Sequence, residues 1–183
     1  LNIAWTYMQV TFNVSLDSLG TLLTAGTLGG LIAAFMSGYF IGKFSVGKVL
    51  LGGILLAGLG LFSYSIAPVW IVLLGIAFVT SLGQGTIDAG LNNFVSANYG
   101  TSEMNWLHAC WGIGLTIAPA IVTFIVLNLN QGWQLGYIFM AAVVLGIGGI
   151  VLLTLPQWRI NKAKHHETND DIQSASISET LRK

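Results

Sequence analysis

Residues 69–97 read VWIVLLGIAFVTSLGQGTIDAGLNNFVSA, an almost continuously apolar run without a lysine or arginine. A half-exposed strand would alternate apolar and polar residues; an uninterrupted run of this length reads as a helix. At about 1.5 Å per residue it exceeds the roughly 30 Å of hydrocarbon in a bilayer. One carboxylate, Asp88, lies inside it. In water that residue would be ordinary. At membrane depth a charged side chain costs roughly 3 kcal/mol, so it turns away from lipid.

Composition chooses between these solvents. The chain has 183 residues, 54% hydrophobic and 8% charged, with a mean hydropathy of +0.76. Soluble domains carry roughly 25% charged residues. Eight per cent does not cover a water-facing surface, so the outside faces lipid. The 23 glycines suit membrane helices, where small residues let backbones approach closely. The single cysteine, Cys110, excludes a disulfide framework and a cysteine metal cluster. Net charge is zero, which argues against a nucleic-acid partner or a polybasic membrane patch. No basic stretch precedes an apolar one at the N-terminus, so no signal peptide is expected.

Working outward from 69–97, four more segments are long and apolar enough to span: 19–41, 46–67, 105–127 and 133–155. The connections GKFS (42–45), Pro68, NYGTSEM (98–104) and NLNQG (128–132) are short, which makes successive helices antiparallel. With five spans, all seven basic residues fall on one side: Lys43, Lys48, Arg159, Lys162, Lys164, Arg182 and Lys183. That side is expected to be cytoplasmic, in a plasma (inner) membrane. Residues 1–18 are too polar to span, with Trp5 and Tyr7 suited to a membrane interface, and are expected outside. Residues 19–156 form the membrane part. Residues 157–183 are polar and mixed in charge, expected as a solvated, disordered tail or linker on the cytoplasmic side. An extracytoplasmic N-terminus with no span before it leads to the expectation that a first helix is absent.

At about 100° per residue, with Gln84 as origin, Asp88 lies near 40°, Ser81 near 60° and Asn92 near 80°. The four make one polar stripe, which should face the bundle interior or a wet cavity. Asn93 falls off it. An intramembrane carboxylate without a cationic partner favours its neutral form, and such a group can load and release a proton. Asp88 is therefore a candidate proton or solute site; the alternative is a neutral aspartate that only hydrogen-bonds a neighbouring helix. His108, in the next span, is either a proton relay or a structural histidine. Trp111 is either a platform for a sugar ring or a packing residue. Gly26, Gly30 and Ala34 have small-xxx-small spacing, which favours close helix packing. No nucleophile–histidine pattern and no metal-ligand spacing appears, so neither an enzyme, a metal site nor a cofactor is expected, although Asp88 and His108 leave an intramembrane enzyme as a third reading.

Two stretches resemble a known family. GYFIGKFSVGKVL, residues 38–50, resembles the signature loop of the major facilitator superfamily, roughly G-x-L-x-D-R-x-G-R-K. Gly38 matches its leading glycine and Lys43 its basic residue, with Lys48 close by; Gly42, Ser45 and Val46 stand where the family has Asp, Gly and Arg. LGQGTIDAGLNNFVSANYGTSEMNWLHACWGIG, residues 82–114, resembles the fourth and fifth helices of the fucose permease branch. Asp88, Asn92 and Asn105 match its acid and two asparagines, and His108 replaces a glutamine. The resemblance implies an all-α membrane protein, a major facilitator-type helical bundle in which this chain supplies helices two to six of the N-terminal half, with residues 1–18 as the extracytoplasmic end of helix one and the loop after it. It implies alternating-access transport of a small polar solute, a sugar, coupled to protons. Asp88 would bind proton and sugar, with Asn92, Gln84, His108 and Trp111 beside it and Gly38, Lys43 and Lys48 in the gating loop. The implied partners are the solute, protons, the lipid bilayer, and a C-terminal six-helix half or a second copy. The alternative is a truncated, non-transporting membrane protein or an assembly partner.

Overall fold

The structure, a computed structural model, describes residues 2–128 and 132–158. The polar tail expected after 157 lies almost wholly outside the described residues, as does the centre of the connection at 128–132. The described residues form α1 (Asn2–Phe12), α2 (Ser18–Phe44), α3 (Val46–Ser65), α4 (Trp70–Asn98), α5 (Thr101–Leu127) and α6 (Trp133–Leu153), followed by a 3₁₀ turn at Leu155–Gln157. Helices α2 to α6 are each long and apolar enough to cross a membrane. Their outward faces are apolar: Phe35 is 86% exposed within the chain and Ile71 71%. That outer surface fits lipid and does not fit water.

Helix boundaries follow local chemistry. The reversal between α2 and α3 is made by Ser45 alone, at φ 76 and ψ 151. This backbone region favours glycine, and a serine occupies it where the superfamily loop has glycine. Consequently α2 runs on to Phe44, past the glycine and lysine expected to end it. Helix α5 begins at Thr101, four residues before Asn105, because the Glu103 carboxylate accepts the Gly100 backbone N–H at 3.0 Å and stabilises the first turn. The connection between α4 and α5 shrinks to Tyr99 and Gly100.

Helix α4 sits between α2 and α3, and glycines set the separation. A Cβ at Gly85 would stand 2.8 Å from the Gly30 carbonyl oxygen of α2. One at Gly53 of α3 would stand 2.9 Å from the Gly83 carbonyl oxygen, and one at Gly29 would drive into the backbone of Phe78. The contact face of α2 thus runs through Leu22, Gly29, Ala33 and Ser37, all buried. Ala34, expected in this face, points outward instead. Helix α3 also packs against α6, whereas α5 touches α1, α4 and α6 only lightly.

The two ends of the bundle differ. At one end Trp5, Met8, Leu73, Val126 and Trp133 form a buried core. Rings connect there in sequence: Trp5 to Trp70 at 5.7 Å, Phe12 to Trp70 at 6.2 Å, Phe12 to Trp133 at 6.1 Å and Trp133 to Tyr137 at 5.6 Å. The Trp133 indole N–H donates to the Thr11 hydroxyl at 3.1 Å. Trp5, expected at a membrane interface, is therefore a core residue at 3% exposure, because α1 packs as a helix against α5 and α6 and sets its Trp5 and Phe12 rings on Trp70 at the start of α4. Tyr7 remains exposed. The opposite, basic end carries Lys43 and Lys48. There the Lys43 ammonium stands over the rings of Tyr39 and Phe44, at 5.9 and 5.4 Å.

Candidate functional site

The glycine contacts fix the rotation of α4 about its axis. Gly83 is pressed on α3 and Gly85 on α2, so Gln84, between them in sequence, turns into the gap those two helices leave. A cavity of about 600 Å³ opens there, walled by α3, α4, α5 and α6 and touched at one edge by Ala4 of α1. Thr80, Ser81 and Gln84 contribute α4's polar groups to it. Gly114 to Thr123 on α5 and Tyr137, Met140 and Val144 on α6 make most of the rest. The predicted polar stripe thus begins on the cavity wall.

The stripe then leaves the cavity. Asp88, one turn further toward the basic end, is exposed and does not line it. Asn92 Nδ2 donates to the Asp88 carboxylate Oδ1 at 3.2 Å and to the Asp88 backbone carbonyl at 2.9 Å. This i, i+4 pair holds the carboxylate along the helix. His108 and Trp111 stand on α5, one to two turns closer to the basic end than the cavity wall that begins at Gly114. Both are exposed, Trp111 at 62%, and His108 makes no hydrogen bond to Asp88 or Asn92. The structure therefore brings Ser81 and Gln84 together at the cavity and pairs Asp88 with Asn92. It leaves His108 and Trp111 apart from both.

Sequence reasoning missed the tyrosines. Tyr64 of α3 and Tyr137 of α6 stack with centroids 5.0 Å apart and planes 9° apart, and both line the cavity. The Tyr137 hydroxyl has the Met8 sulfur at 3.9 Å, a weak acceptor. Their signal in the sequence is faint, since a tyrosine near the end of an apolar span also suits an interface anchor. The residues expected in the gating loop lie on helices instead: Gly38 is within α2 and faces open space, Lys43 is in the last turn of α2 and rests on aromatic rings, and Lys48 is exposed in the first turn of α3.

The Major Facilitator Superfamily profile matches residues 1–182. The chain belongs to that superfamily. This membership, with five apolar helices, makes it a multi-pass integral membrane protein of major facilitator type. Among curated proteins it is similar to the glucose/mannose transporter GlcP of Bacillus subtilis (strain 168), with 24% identity over 153 residues. The match takes in 81% of this chain and 37% of that protein, so the chain spans little more than a third of the relative's length. No solved structure matches. At the α2–α3 reversal of this chain, Ser45 holds a glycine-type backbone and Gly42 offers no carboxylate to the neighbouring Lys43.

Proposed function

We propose that this chain is the N-terminal part of a secondary transporter that carries a small polar solute, a sugar, across a membrane by alternating access and couples it to protons. The observation that carries the reading is the α4 stripe. Ser81 and Gln84 face the cavity, and the same face continues to the Asp88–Asn92 pair. A polar line of this kind on a lipid-embedded helix has little structural use and marks a solute or ion path. Superfamily membership supports transport, and the named substrates of the Bacillus subtilis relative make hexoses the first solutes to try.

In this reading Gln84, Asn92 and Ser81 donate and accept hydrogen bonds to solute hydroxyls, and the Asp88 carboxylate takes the proton. His108 and Trp111 join from α5 only when that helix moves toward α4. The basic end faces the cytoplasm of a plasma (inner) membrane, by the distribution of lysine and arginine. Residues 1–18 are the extracytoplasmic end of a first helix and the loop after it, and 157–183 link to a C-terminal six-helix half or a second copy. Gly38, Lys43 and Lys48 form the gating loop, without the aspartate that supplies an ion pair elsewhere in the superfamily.

The test is uptake of radiolabelled glucose and mannose into proteoliposomes under an imposed pH gradient, with Asp88→Asn beside the native sequence. Gradient-driven accumulation is expected to vanish in Asp88→Asn while solute exchange at equal concentrations persists. Accumulation that still follows the gradient in the variant would overturn the carrier role of Asp88.

A further inference from the structure

The chain leaving α6 does not depart freely at the basic end. After Leu153 it makes the 3₁₀ turn Leu155–Gln157, and Trp158 folds back on the bundle. The Trp158 ring lies 4.9 Å from that of Phe94 on α4. Its indole N–H donates to the Thr154 hydroxyl at 3.0 Å, and that hydroxyl in turn donates to the Ile150 carbonyl at 2.8 Å. The seat beneath is cut for it: a Cβ at Gly47, in the first turn of α3, would meet the Trp158 Cβ at 2.7 Å. One indole thus joins the basic ends of α3, α4 and α6, and α5 takes no part in the contact.

We propose that Trp158 is a releasable latch, which ties the chain leaving α6 to the basic ends of α3 and α4 and which must let go during turnover; this rests on the transport reading above. Release needs no ion pair to break. Across the interface the Trp158 ring meets the Phe94 ring and its Cβ sits over the bare Gly47 backbone, while its hydrogen bonds, indole N–H to Thr154 and backbone N–H to the Leu155 carbonyl, stay within the segment that moves with it. Phe94 lies on the side of α4 turned toward α3, away from the polar stripe, so the latch bears on α4 from behind and touches neither Asp88 nor Asn92. It is a positioning device, separate from solute contact.

Two readouts separate the latch from transport itself. Arg159 follows Trp158 directly, so a latch of this kind should slow tryptic cleavage after Arg159 until the indole leaves its seat. In membranes exposing the basic end, Trp158→Ala is expected to speed cleavage at Arg159 by about tenfold, relative to cleavage at Lys162 and Lys164. Gly47→Ala should do the same by displacing the indole, and Trp158→Phe, which keeps a ring on Phe94, should stay within about twofold of the native rate. Equal cleavage in native, Trp158→Ala and Gly47→Ala protein overturns the latch. In uptake assays the two loosened variants should lower the maximal rate by about threefold with KM unchanged. Faster cleavage with unaltered uptake overturns the turnover role and leaves a static anchor. Absence of uptake by the native protein defeats the transport reading, while the proteolysis result stands on its own.

Discussion

Helices α4 and α5 have similar lengths and each carries a pair of glycines two residues apart, but the two pairs do opposite things. In α4, Gly83 and Gly85 carry backbone against backbone, and a side chain at either position would collide with α3 or α2. In α5, Gly112 and Gly114 meet nothing within 4 Å. Glycine content therefore says that close packing is possible; only the neighbours say where it is used. The result is a tight wedge of α2, α3 and α4, with α5 loosely applied to its side across the cavity.

This contrast is open to direct attack. Gly83→Val forces methyl groups into the backbone of Ala57 and Gly53 and should destabilise the protein by about 3 kcal/mol or more, read as loss of a monodisperse peak in detergent. A folded, fully stable Gly83→Val protein would break the wedge description. Gln84→Leu leaves both glycine contacts in place and removes only the polar group between them. It should retain the fold and weaken solute binding by about tenfold in a ligand-binding assay; unchanged affinity would show that the stripe does not serve the solute. Ser45→Gly relieves the left-handed serine at the start of the wedge, and thermal unfolding should report a gain of about 1 kcal/mol, net of glycine's own entropic cost. At the other pole, Gly112→Ala on α5 should change stability by no more than about 1 kcal/mol, toward higher stability, since the new methyl enters open space. A strong loss there would mean that α5 packs as tightly as α4.

Much of this was legible in the sequence, for identifiable reasons. Continuous apolar runs gave all five spans, because burial in lipid on every side leaves no competing pattern. The stripe of Ser81, Gln84, Asp88 and Asn92 followed from helical geometry alone, and Gln84 and Ser81 do face the cavity. Boundaries were less legible where a single contact decided them, as with Glu103 on the Gly100 N–H and the solitary Ser45 turn. The contact face of α2 was misassigned at Ala34 because small-residue spacing by fours from Gly26 and Gly30 leads to it, whereas the buried series by fours is Gly29, Ala33 and Ser37, one residue earlier. Trp5 was misplaced because a tryptophan near a span end serves an interface or a core equally well in sequence, and the packing of α1 against α5 and α6 chose the core. The Tyr64–Tyr137 stack joins residues far apart in the chain and left only the faint local signal of two tyrosines in apolar spans.

Gly83 and Gly85 together have a mechanical meaning. A helix keyed to a neighbour on each flank cannot spin about its own axis, since turning Gln84 or Asp88 toward a different medium would push side chains into two backbones at once. Whatever exposes Asp88 first to one compartment and then to the other must tilt α2, α3 and α4 as a single slab, or shift α5 across their open side.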